Sequence, residues 1–89
     1  MEKNVKCLLL KVDTILITEI IEIDAEIGDP NCKLINPFQW KKRESSEEFY
    51  LEPWIEISNQ KEFMIRSEDI LTIADPTPEL IENYLKLTS

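Results

Sequence analysis

Apolar and polar residues alternate with a period of two along most of the chain, the pattern of strands with one buried face. Val5 to Val12 is apolar and β-rich, interrupted by Lys6 and Lys11, and Asp13-Thr14 turns the chain. Thr14 to Ile27 reads as a long second strand. In its later part Ile21, Ile23, Ala25 and Ile27 alternate with Glu22, Asp24 and Glu26. A strand of that length in a small domain must bend or twist strongly. Gly28-Asp29-Pro30 is a turn. Asn31 to Lys41 forms the third strand, with Cys32, Leu34, Phe38 and Trp40 on one face and Lys33, Gln39 and Lys41 on the other.

Arg43 to Glu48 is a solvated polar loop. Phe49 to Ser58 alternates again, and Pro53 puts that run on an edge or at a bulge. Trp54 falls in phase with Glu52 and Glu56, which predicts an exposed or interface indole, whereas Trp40 joins the core face. Phe63 to Arg66 resumes the strand, Ser67-Glu68-Asp69 turns, and Ile70 to Ala74 is the last strand. A helix over about 77–87 follows. Thr77 is its N-cap, Pro78 its first helical residue, and Leu80, Ile81, Tyr84 and Leu85 its apolar stripe.

Composition narrows this picture. The 89 residues make one domain, and a chain of this size buries only ~60–65% of its unfolded surface. Small folds of this kind gain stability by association. No apolar run reaches the ~20 residues of a membrane span. Met1-Glu2-Lys3-Asn4 begins no leader pattern, which places the protein in the cytoplasm. Cys7 and Cys32 read as reduced, buried small hydrophobes. The absence of histidine removes Ser-His and Cys-His nucleophilic pairs and leaves no zinc set, so neither cofactor nor metal is expected and the protein is read as non-catalytic. Glu22, Asp24, Glu26 and Asp29 have no calcium-loop spacing. Gly28 is the single glycine, so no glycine-rich phosphate loop exists. The net charge of −8 argues against a broad grip on phosphate backbones, though not against a narrow site for unstacked bases.

The run Met64-Ile65-Arg66-Ser67-Glu68-Asp69-Ile70-Leu71-Thr72-Ile73 resembles the second signature of the Sm/LSm family, which includes Hfq, with Ser67 in place of its glycine. Leu10 to Asp24 is similar, more loosely, to the first signature. There Asp24 follows the long second strand and Asn31 stands where the family places an asparagine, after a short insertion over Gly28-Asp29-Pro30. Together the two segments cover about a third of the chain, and the general pattern resembles divergent Sm-like proteins of marine phage origin. Family members begin with a helix, whereas this chain puts its helix last.

The resemblance implies a strongly bent five-stranded antiparallel Sm-like (SH3-like) barrel with a short C-terminal helix. It implies a homo-oligomeric ring of roughly five to seven subunits, closed by edge pairing. The implied ligand is single-stranded RNA or DNA, bound in RNA processing or regulation. Arg66 would stack on a base, Asn31 would read its edge, Asp24 would fix the loop and Ser67 would complete the site. Plainer readings stand beside these. Arg66 can pair with Glu68 or Asp69, Asn31 suits a turn, and Asp24 suits a solvated strand face. An acidic small-barrel module that binds a basic protein, without nucleic acid, is the alternative function.

Overall fold

The computed structural model describes residues 4–88. Met1-Glu2-Lys3, on which the expectation of no leader rests, lies outside them. Six strands and one helix follow among the described residues, in the order β1 (Val5–Leu10), β2 (Ile15–Glu22), β3 (Cys32–Lys42), β4 (Phe49–Pro53), β5 (Glu62–Ile65), β6 (Ile70–Ala74) and α1 (Pro78–Thr88). All pairings are antiparallel, in the order β4-β3-β2-β1-β6, with β5 also on β3. β4 and β5 share one edge of β3, at residues 38–42 and 32–35. They are the two halves of an interrupted fourth strand, so the sheet has five positions.

The sheet curls hard. Laid flat, β5 to β6 would span four inter-strand steps, about 19 Å. The chain from Ile65 to Ile70 passes through a single 3₁₀ turn (Ser67–Asp69), and even full extension of five residues would reach only about 17 Å. The two edges must therefore approach each other. Ile65 and Ile70, one from each, pack on the same core of Leu8, Leu10, Leu16, Ile20, Cys32 and Leu34. Closure into a barrel, expected from the resemblance, is not reached: among the described residues no ladder joins β5 to β6.

A second core lies on the opposite face. Val5 and Ile17 pack there with Tyr84, and Cys7, Phe38, Leu51, Leu80 and Ile81 surround them. α1 supplies the cover. Its N-cap is Thr77, whose Oγ1 accepts from the Leu80 N–H at 3.3 Å. The apolar stripe faces the sheet through Leu80, Ile81 and Tyr84, while Leu85 stays partly exposed.

Five expectations need correction. Trp40, expected on the core face, belongs to neither core and stacks half-buried on Phe49. β3 does not keep one apolar face. Ile17 pairs with Phe38 and Glu19 with Ile35, so β3 carries one extra residue there. Asn36 takes a left-handed φ of 53° at that bulge. Cys32 and Leu34 therefore enter the first core and Phe38 the second. β2 ends at Glu22, not Ile27, because the later residues have no ladder partner and most stand exposed. β4 stops at Pro53, not Ser58, and the chain turns over residues 54–57. That turn moves Trp54 out of the alternation, so it packs edge-on against Phe63 and onto the first core rather than standing exposed.

Candidate functional site

Two loops meet at the N-terminal end of β3. The first, residues 23–31, is closed at its base by the Ile23 N–H donating to Asn31 O at 3.0 Å. Within it the Asp29 N–H donates to Glu26 O, and Gly28 has a φ of 94°. This is a β-turn whose third position requires positive φ, and glycine supplies it without strain. The second loop is the turn between β5 and β6. Its Asp69 N–H donates to Arg66 O, and Asp69 O accepts from the Lys11 N–H.

The loops are fastened by one reciprocal pair. Asn31 Nδ2 donates to Ser67 Oγ at 3.0 Å, and the Ser67 N–H donates to Asn31 Oδ1 at 2.8 Å. Asn31 thus acts on both the backbone and the side chain of the turn 36 residues downstream. Arg66 is extended, with φ −89° and ψ 139°, and its side chain is half-exposed. Its Nη1 lies 3.5 Å from Glu68 Oε1, a long contact. A groove of about 270 Å³ runs between the loops, lined among others by Glu26, Asp29, Asn31, Arg66, Ser67 and Glu68.

Asn31, Arg66 and Ser67 are therefore brought together from positions far apart in sequence. Asp24 is not: it is exposed, outside the groove lining, and has no hydrogen bond or ion pair among the described residues. The loop is held by the two backbone bonds instead. The serine in the glycine position is also accommodated. Among the described residues only Asp13 and Asn36 are non-glycine residues with positive φ, so the turn at Ser67 demands no glycine. What pattern reading missed is the partner of Asn31, since no local signal couples it to Ser67.

Among the described residues no set of three or more acidic or cysteine side chains is arranged to hold a metal ion. No helix among them is long and apolar enough to cross a membrane. Both thiols are free; burial raises the pKa of each, and Glu22 raises that of Cys32 further. They stay protonated at neutral pH, which disfavours thiolate chemistry.

Fold and groove define a small, strongly bent antiparallel β-sheet protein, backed by a helix on one face and notched by a polar groove at one end. The chain belongs to a family of unknown function (DUF6561), whose model matches residues 3–89. No curated protein matches the sequence.

Proposed function

We propose that this protein is a non-catalytic, Sm-like homo-oligomer of the cytoplasm that binds single-stranded RNA, or DNA, in RNA processing or regulation. The observation that supports it is the Asn31–Ser67 pair set beside the half-exposed Arg66 side chain. A planar guanidinium on a rigid turn stacks on an unstacked base with little loss of entropy. Asn31, engaged by Ser67, serves first to hold that turn. The outer edge of β6 and the outer edge of β4 are free of ladder partners among the described residues. Head-to-tail pairing of such edges builds a ring and covers backbone that one copy leaves open.

Arg66→Ala is expected to weaken binding of short A- or U-rich oligonucleotides about tenfold, the equivalent of one stacked base, while the assembly persists. Fluorescence anisotropy at low salt reads the first effect and light scattering the second. A strictly monomeric protein, or one that binds no oligonucleotide, sinks the proposal; unchanged affinity removes Arg66 from it.

Charge favours a second reading, an interaction module for a basic protein. The chain carries −8, and Glu26, Asp29 and Glu68 line the groove against a single cation, Arg66, among the described residues. A protein partner retained from lysate after nuclease treatment would select this reading.

A further inference from the structure

The far end of β3 carries a different chemistry. Lys41, Lys42 and Arg43 follow one another there, three of the ten basic residues of an acidic chain. Pairing with β4 places Lys41 opposite Tyr50 and Lys42 opposite Phe49. Trp40 stacks on Phe49 with planes 25° apart and centroids 6.4 Å apart. The Arg43 guanidinium sits 5.1 Å over the Tyr50 ring. Trp40, Tyr50, Gln39 and all three cations border one open hollow of about 740 Å³, with Trp40, Lys42 and Phe49 on one face of the hairpin and Lys41, Arg43 and Tyr50 on the other.

The charges in the hollow are unequally engaged. Lys41 lies 2.6 Å from Glu52, and that hydrogen bond raises the lysine pKa and lowers the glutamate's. Arg43 has only a 3.9 Å approach to Glu48. Lys42 is exposed and has no ion pair among the described residues. The acids in the lining itself are Asp13 and Glu44, and Glu52 and Glu48 engage Lys41 and Arg43 from beside it, which leaves Lys42 as the cation without an ion pair among the described residues. Aromatic faces interleaved with cations on long side chains are what a flexible polyanion with stackable bases requires.

We propose that the β3–β4 hairpin end is a separate contact surface for single-stranded nucleic acid, with Lys42 and Arg43 on phosphates and Trp40 or Tyr50 stacking a base. It rests on the ligand class of the proposed function but not on the Arg66 groove, which lies at the other end of the 11-residue β3, at most about 33 Å away.

The test uses the full chain and short fluorescein-labelled oligo(A), oligo(U) and oligo(dT) in a salt series. The double variant Lys42→Ala with Arg43→Ala, shown folded by its melting curve, should bind about tenfold more weakly. It should also lower the log–log salt slope by about 1.4, some 0.7 for each phosphate that is no longer neutralised. Glu48→Gln, which releases Arg43, should bind more tightly. In Trp54→Phe the remaining indole is Trp40, whose emission should be quenched by oligonucleotide. Unchanged affinity and slope in the double variant overturn the proposal. Weaker binding by Arg66→Ala alone also overturns it and leaves the groove standing. Weaker binding by the hairpin variant alone supports it and removes the groove. An unmutated chain that binds no oligonucleotide overturns both.

Discussion

Tyr84 is fully buried, yet its hydroxyl is satisfied: it donates to Ile35 O at 2.9 Å, the same carbonyl that accepts from Thr18 Oγ1 at 3.1 Å. Burial pushes its phenol up to about 12 from an ordinary value of 10. The neutral form is the one the fold accommodates, so the stability tied to this proton is complete below pH 10. It is lost as the pH rises from 10 to 12, by about 2–3 kcal/mol in all. Tyr84→Phe should cost about 1 kcal/mol at neutral pH for the missing hydrogen bond. It should also flatten the alkaline fall, which urea denaturation at a series of pH values would show. At neutral pH Tyr84→Ala should cost about 3–5 kcal/mol through the cavity it leaves. The residue was legible as part of the apolar stripe of α1, because helical spacing is a local property. Its carbonyl partner was not, since Ile35 lies 49 residues away. The same limit hid the Asn31–Ser67 pair: both residue types suit turns, and only the curl of the sheet brings the two turns together.

Among the elements, β3 decides the architecture. It sends Cys32 and Leu34 to one core and Phe38 to the other, and one residue inserted at a bulge makes the change of face possible. Asn36 adopts φ 53° there, and its N–H donates to Lys61 O at 2.7 Å, tying the bulge to the segment that leads into β5. Left-handed backbone is open to glycine, tolerated by asparagine and aspartate, and strained for other side chains. Asn36→Ala should therefore lose about 1–2 kcal/mol, while Asn36→Gly should stay within a few tenths of the parent protein. Equal losses in the two variants, measured by chemical denaturation, would contradict the assignment. The strand itself was readable from alternation, but the change of face was not. Residues 34 and 38 are separated by an even number, and nothing in the pattern announces the extra residue. Strand ends failed for a related reason. Ile23 to Ile27 and Trp54 to Ile57 keep the alternating pattern without a ladder partner, and alternation alone does not report pairing.

At the scale of the whole molecule, the curled sheet protects its inner core by folding its edges together and its outer core by docking α1, but it leaves β6 open on one side. That strand, Ile70-Leu71-Thr72-Ile73-Ala74, has no charge in a chain where 31% of residues are charged. Leu71 is 57% exposed and Ile73 52%. Strands that must remain single at an edge are normally guarded by lysine, proline or a bulge turned outward. The bulge in its ladder, between Leu9 and Leu10, lies on the β1 side and does nothing for the outer edge. In the assembly proposed above, this unguarded apolar edge is the surface that would pair with the β4 edge of a second copy. Leu71→Lys places a charge on that edge without touching either core, because Leu71 belongs to neither cluster. The variant should fold with its melting temperature little changed when dilute, and the proposed assembly predicts that it sediments and scatters light as a monomer at concentrations where the parent chain is larger. If the parent and Leu71→Lys have the same mass in solution, β6 is not the contact. If the variant is monomeric and still binds oligonucleotide with the parent's affinity, one subunit suffices for the site.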